Sequence, residues 1–395
     1  MSAKLARDSL LVVPSQLNLE VRHGRMLVET ECGTRSYGLE TLGVLHAFRE
    51  PRSMAEGVAA LREAFSNDFM ALSSRIIELV QLGILVSPST GRFVGDDGSF
   101  DGAAVHLAML DDAVRTTSFV DAIRANVRPD DIVLDIGTGT GILAVAAARA
   151  GARHVYALDR GAVAEVAERV VRANGVADRC TVLRTMSTDA VLPERATLLV
   201  SEIVGNDPFG EGIIRTYADA NARLLAPNAR RIPRRLAVYA HLVEVPADIR
   251  AEHFADEERV AWWSQRYGVD LDAVRQAAPR EPVVVYLSST RARTLMAASS
   301  ATQLGMMDLA HVTPTMACTQ SIRTERACRV GGIAITFSLE LDDRHHISSD
   351  VSLNAQSHWR TPLWLLPEPM SVEAGDAVTV AWRTSPTGSR LGLVT

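Results

Sequence analysis

The 395-residue sequence has only four cysteines, Cys32, Cys180, Cys318 and Cys328, and no two of them form a CxxC pair. That scatter excludes a disulfide framework and a cysteine-based metal site, and it reads as reduced thiols in a cytoplasmic protein. Long apolar runs are missing too. The opening MSAKLARDSLLVVPSQ is too weakly apolar for a secretory signal, and no later segment is long enough to span a bilayer. Neither sign of charge dominates: 41 Lys and Arg face 47 Asp and Glu, a formal net charge of −6. Nothing therefore pulls the chain generally toward nucleic acid or an anionic membrane. Internal repeats and low-complexity tracts are absent as well.

What is present is ordinary globular material, 47% hydrophobic and 22% charged, in a chain long enough for two or three domains. Three parts can be distinguished. Residues 1–90 open with short alternating strands around LNLEVRHGRMLVET, and two amphipathic helices follow, SMAEGVAALREAF and FMALSSRIIELVQLGILV. Ser53 and Glu56 have capping-box spacing, and Gly83 suits a helix stop. The Gly/Ser/Asp-rich stretch at 87–99 reads as a linker. Residues 100–231 alternate buried strands (DIVLDI, HVYALD, TLLVSE) with helices, the pattern of a parallel sheet with right-handed crossovers. Residues 232–395 are rich in short β-type runs, interrupted by a helical insert at 255–278, and read as a sandwich or barrel-like domain.

The chemistry concentrates in the middle part. VLDIGTGTGIL, residues 133–143, is a strand, a glycine turn and a helix start, with Gly137, Gly139 and Gly141 allowing a ligand close to the backbone. A dinucleotide site is the nearest rival, but the turn is D-x-G-x-G-x-G rather than G-x-G-x-x-G. Asp135 just before the glycines would repel a pyrophosphate yet suit the ammonium of S-adenosylmethionine. Asp159, ending the next strand, can hold both hydroxyls of a ribose. The turn resembles that of class I S-adenosylmethionine-dependent methyltransferases. Further on, SEIVGNDPFGEG, residues 201–212, sets Glu202 and Glu211 nine positions apart in a glycine-broken loop after an apolar run. Two carboxylates so placed can clamp a planar cation and align its nitrogen for in-line displacement.

That double-glutamate loop resembles the protein arginine methyltransferase family, and other stretches agree in order: VHLAMLDDAVRT (105–116), RRIPRRLAVYAHLVE (230–244), WWSQRYGVDLDAV (262–274) and SHWRTPLW (357–364). The resemblance runs from about residue 100 to the end. It implies a Rossmann-like class I domain, a β-barrel domain with a dimerisation arm at 255–278, S-adenosylmethionine as cofactor and no metal. By resemblance Arg115 grips the cofactor carboxylate, Met109 packs near the methyl, and Asp112 and His358 link the helix to the histidine–tryptophan loop as part of the catalytic set. Some positions depart from the family pattern. The aromatic lid shrinks to GSFDGAAV with Phe100 alone. Thr188 stands where an acid is expected near adenine, leaving Ser187, Thr188 and backbone to hold the base. Ile203 and Gly212 follow the two glutamates where bulkier groups are usual.

Residues 1–90 resemble a PqqD-like winged-helix module, α+β, of the kind that captures leader peptides by strand addition in ribosomal peptide pathways. A DNA-binding helix–turn–helix is the rival, and the lack of a basic stripe argues against it. The expected whole is a cytoplasmic, homodimeric N-methyltransferase acting on an arginine or amine of a peptide, including a daptide-like precursor. The alternatives are a general protein or free-arginine methyltransferase, and a peptide-binding scaffold with a vestigial domain.

Overall fold

The structure, a computed structural model, describes residues 10–13, 17, 19–22, 24–30, 33–49, 52–61, 69–82, 84–85, 103–277, 279, 281–385 and 388–394. Cys32, Gly83, Phe100 and the linker read at 87–99 lie outside these. The chain divides into two compact units, one ending at Ala104 and the other beginning at Val105.

The first unit holds a three-stranded antiparallel sheet in the order Leu19–Arg22, Arg25–Thr30, Gly33–Gly38, a two-stranded antiparallel pair of Leu10–Leu11 with Arg52–Ser53, and three helices, Glu40–Ala47, Met54–Leu61 and Phe69–Gln81. Met26 and Val28, two positions apart on the middle strand, are fully buried, as expected of a sheet with one face on a core. The last helix buries Leu72, Ile76 and Leu79, one stripe at helical spacing. Ser53 and Glu56 form a reciprocal cap. The Glu56 carboxylate accepts the Ser53 N–H at 2.8 Å, and the Ser53 hydroxyl accepts the Glu56 N–H at 3.2 Å.

The second unit is built on a five-stranded, wholly parallel sheet in the order Leu225–Ile232, Ala196–Ser201, Ile132–Ile136, His154–Asp159, Cys180–Arg184. Every residue of the central strand Ile132–Ile136 is buried. A strand covered on both faces has no solvent side to alternate toward, so it reads as a continuous apolar run. The chain fills the sheet on one side of this strand first and then crosses to the other. Strand order therefore reverses between Ile132–Ile136 and Ala196–Ser201. At such a point the loops leaving the strand ends diverge and open a crevice for ligands. The glycine turn and the double-glutamate loop both start there.

Past Ile232 the chain turns antiparallel. Arg235–Glu244, Cys328–Glu340 and Thr361–Val372 lie side by side in a seven-stranded sheet. Ala317–Arg323, Ala377–Ser385 and Gly388–Leu393 make a smaller one. Ile333, Ile335 and Phe337 of the larger sheet and Val380 and Trp382 of the smaller share one buried cluster, which continues through Phe209, Tyr217 and Leu236 into the parallel sheet. The β part is therefore fused to the parallel sheet by a common core. A polar tie crosses the join where Asn126 Nδ2 donates to Asp342 at 2.6 Å, and others lock the parallel part itself. Asp131 takes hydrogen bonds from Arg230, from the Thr197 hydroxyl at 2.7 Å and from the Arg128 N–H at 2.7 Å. Burial pushes its carboxyl up, but those bonds outweigh it and hold the group below the usual carboxylate range. The insert Glu257–Tyr267 and Asp272–Gln276 buries a single side chain, Val260. Among the described residues no helix is long and apolar enough to cross a membrane.

Candidate active site

The glycine turn is shaped by what crowds it. Gly137 sits at φ +76°, and a Cβ there would come within 2.6 Å of Ile203 Cγ2, so only glycine fits. Gly139 is also left-handed, with the ring of His106 3.3 Å from where its Cβ would stand, and Gly141 repeats the conformation at φ +83°. The N–H groups of Gly137 and Thr138 both donate to the Leu158 carbonyl at 2.9 Å, which pins the turn to the next strand. Asp159 accepts the Gly139 N–H at 3.0 Å and the Gly161 N–H at 2.8 Å. One carboxylate thus braces both loops.

Asp135 is almost fully buried. Its Oδ2 accepts the Thr138 hydroxyl at 2.6 Å, whereas Oδ1 is sealed from solvent without a hydrogen-bond partner, feeling the Ala144 N–H only weakly. Burial pushes this carboxyl up to about 7, the charge of Asp159 adds to the rise, and the Thr138 bond opposes it. An unsatisfied buried oxygen at a strand end is costly unless a ligand cation meets it.

Asp112 caps the helix Ala113–Asn126 by accepting the Arg115 N–H at 3.1 Å. It also accepts Asn354 Nδ2, the His358 N–H and His358 Nδ1, each at 3.0 Å. Burial would raise its carboxyl, but these bonds more than offset it and bring it down to about 2. The expected link between Asp112 and His358 is therefore present. With no exposed surface and both oxygens engaged, Asp112 holds the histidine rather than reaching a substrate.

The loop at 201–212 departs from expectation at one point. Arg115, expected to face a cofactor carboxylate, is ion-paired with Glu202: Nε donates to Oε2 at 2.8 Å, and Nη2 lies closer still. Its Nη1 reaches the Met109 carbonyl at 3.3 Å, which also accepts the Thr116 hydroxyl at 3.0 Å. The helix start and the loop, 87 positions apart, are thus one ionic unit. Glu211 makes no hydrogen bond among the described residues, and its Oε1 fills the space that a side chain on Gly205 would need. Burial, then the charge of Glu202, pushes its carboxyl up to about 8, with Arg115 opposing. One guanidinium cannot balance both carboxylates, and the half-buried Glu211 is the one left with a raised carboxyl.

Ser187 and Thr188 lie in the turn after Cys180–Arg184, but no bond engages their hydroxyls among the described residues. Instead their carbonyls accept Arg223 Nη2 at 2.9 Å each, and the Ala190 carbonyl accepts Nη1 at 3.0 Å. The Trp359 indole, in the SHWRTPLW stretch singled out by resemblance, donates to the Val204 carbonyl at 2.7 Å, whereas sequence reasoning passed over Arg223, His106 and Asn354. His106 alone carried a signal, three positions before Met109 on one helix face.

Comparison with known proteins fits this geometry. Residues 114–230 match the family model for ribosomal protein L11 methyltransferase, and residues 245–390 match the arginine methyltransferase oligomerization subdomain. Protein arginine N-methyltransferase 1 of Caenorhabditis elegans is 25% identical over 316 residues, covering 76% of this chain and 87% of its own. The Schizosaccharomyces pombe protein of the same name is 35% identical over 189 residues, 47% of this chain and 54% of its own. Among solved structures, the Trypanosoma brucei arginine methyltransferase 1 enzyme–prozyme heterotetramer with S-adenosylhomocysteine superposes with a TM-score of 0.61 at 25% identity, over 73% of this chain and 89% of that one. Arabidopsis thaliana protein arginine methyltransferase 10, at 21% identity and a TM-score of 0.58 over 73% of this chain and 95% of that one, shares the fold. These matches support assignment to the S-adenosylmethionine-dependent arginine N-methyltransferase family. The chain is an S-adenosylmethionine-dependent methyltransferase.

Proposed function

We propose that this arginine methyltransferase acts on a cationic nitrogen of a ribosomally made peptide, with Glu202 and Glu211 as the clamp. The observation carrying the clamp is Glu211: a half-buried acid with no internal partner among the described residues, beside a glutamate already paired to Arg115. A guanidinium entering there would meet one fixed negative charge and one that forms as it binds. The donors of a planar guanidinium match two carboxylates bidentately, which fixes the attacking nitrogen.

The residues of the glycine turn suit the cofactor. Asp135 offers the unpartnered Oδ1 for an ammonium, and Asp159 lies at the neighbouring strand end for ribose hydroxyls. When bound, S-adenosylmethionine supplies an electrophilic methyl on a sulfonium. What the chain supplies is alignment and charge: the Glu202–Arg115 pair holds one carboxylate still, and His358, held by Asp112, stands at the edge of the same crevice. Met109, whose carbonyl anchors Arg115, would border the methyl, and the turn at Ser187 and Thr188, stapled by Arg223, would border the base.

The first unit supports a peptide acceptor. Its three-stranded sheet and three helices, with a short strand pair of Leu10–Leu11 and Arg52–Ser53, suit a PqqD-like module, and the outer strand Leu19–Arg22 exposes all four residues, Leu19 and Val21 among them. Such an edge can take up a peptide strand through backbone hydrogen bonds. A homodimer is supported by the insert, where Trp262, Tyr267, Val269 and Val274 are exposed within a segment matched by the oligomerization subdomain. An apolar patch of that kind marks a protein contact.

Four outcomes are expected. Glu211→Gln should lower methyl transfer to an arginine peptide by on the order of 10²–10³, the usual effect of losing a preorganised electrostatic partner, while S-adenosylhomocysteine binding stays near wild type. The sign for stability is opposite. Because folding raises the Glu211 carboxyl from 4.5 to about 8, wild type loses stability as pH rises from the unfolded value through the folded one, and the amide variant does not. Thermal melts at pH 9 should rank Glu211→Gln above wild type. Wild-type turnover in this variant would sink the clamp. Deleting residues 1–86 should raise KM for a leader-bearing peptide with kcat nearly kept, whereas an unchanged KM would rule out a capture role. Light scattering at micromolar concentration should give twice the chain mass, falling to one chain in Trp262→Ala/Tyr267→Ala. A wild-type monomer would refute the dimer.

A further inference from the structure

The loop between the two glutamates carries a third carboxylate that neither the clamp nor the cofactor cradle uses. Asp207 Oδ2 accepts the Ser389 N–H at 2.6 Å, and Oδ1 accepts the Ser389 hydroxyl at 3.0 Å and the Phe209 N–H at 3.1 Å. One side chain thus ties the loop to the start of the last strand, Gly388–Leu393, 182 positions away. Gly388 adopts φ +135°, and a Cβ there would lie 3.2 Å from Asp207 Oδ2, so the glycine lets the strand begin hard against the carboxylate. The next residues are seated by packing. Phe209 is fully buried with its ring 6.2 Å from that of Trp382 on the adjoining strand, and the Asp207 carbonyl accepts the Gly210 N–H at 2.9 Å, closing the turn that delivers Glu211.

We propose that Asp207 is a positioning residue for the acceptor carboxylates: by locking the 202–211 loop onto the C-terminal strand it fixes where Glu211 stands when the cation arrives. This rests on the reading of Glu202 and Glu211 as the acceptor clamp. The need for a lock follows from the loop's composition. Gly205, Gly210 and Gly212 give it a wide choice of backbone conformations. The Glu202 end is held by Arg115, but the Glu211 carboxylate has no bond of its own. A displacement of about 1 Å at a reacting group can cost roughly 10² in rate, so an anchor four residues before Glu211 matters to chemistry although it touches no substrate. Loosening the anchor would also hydrate Glu211.

The test uses the full chain and whichever of a panel of synthetic arginine peptides wild type methylates best. Asp207→Ala should lower kcat/KM by about 10²-fold with S-adenosylhomocysteine affinity unchanged. The acid limb of its pH profile should move down by about one unit as Glu211 becomes hydrated. Ser389→Ala, which keeps the backbone bond, should lose roughly three- to tenfold, the worth of one hydrogen bond, and Asp207→Asn should fall between. Unchanged kcat/KM and an unmoved limb in Asp207→Ala, with Glu211→Gln inactive, would overturn the proposal and leave the clamp standing. A lowered Tm with the acid limb unmoved would assign Asp207 a structural role only, and overturn it too. If Asp207→Ala does not fold, the same two readouts in Asp207→Asn and Ser389→Ala decide. Full activity in Glu211→Gln would instead remove the clamp itself.

Discussion

The charge count in one crevice governs this enzyme. Two carboxylates and one guanidinium lie close together where strand order reverses, the Arg115–Glu202 pair buried and Glu211 half-buried. The pair of Arg115 and Glu202 is self-contained. Glu211 is left over, and desolvation with a like charge beside it pushes its carboxyl up to about 8. A cation that enters supplies the missing charge and replaces the proton. In the proposed clamp, the feature that destabilises the ionised, empty site would make the occupied one selective for a positive nitrogen.

The scaffold around this centre is built to hold it still. Asp112 caps one helix and binds Asn354 and His358 at once, so the start of the parallel domain and the histidine–tryptophan loop of the β domain cannot drift apart without leaving a buried acid unpaired. The Trp359 indole and the Arg360 N–H bind the Val204 carbonyl and the Asn206 side chain of the glutamate loop. The shared apolar core makes the β domain a rigid back wall for that loop. Cofactor-side residues form a separate cluster, Asp135 and Asp159 around the glycine turn, whose brace to the Gly139 N–H is complete without the acceptor.

What could be read from the sequence was local. D-x-G-x-G-x-G exposed the turn because left-handed backbone demands glycine within a few positions, and the buried strand before it read as an unbroken apolar run. Glu202 and Glu211 stood out by spacing after a strand. The Asp112 link to His358, 246 positions apart, came only through resemblance, since nothing in either segment names the other. The pairing of Arg115 with Glu202 was missed for the same reason: each had a sensible separate partner, and only the packing of helix on loop brings them together. Arg223, holding three carbonyls of the turn near Ser187, gave no sign at all, because backbone acceptors leave no mark on sequence. Ser53 and Glu56, three apart, were legible because a capping box is closed within one helical turn.

The central claim is that Glu211 gives up a proton when the acceptor cation binds. Calorimetry of a guanidinium acceptor peptide binding to the complex with S-adenosylhomocysteine, run at pH 7 in buffers of differing ionisation enthalpy, counts that proton directly. The account predicts release approaching one proton per site, diminishing above pH 8 and absent in Glu211→Gln. An observed enthalpy independent of buffer from pH 6.5 to 8.5, with binding intact, would mean that Glu211 is already charged in the empty site and would contradict the account.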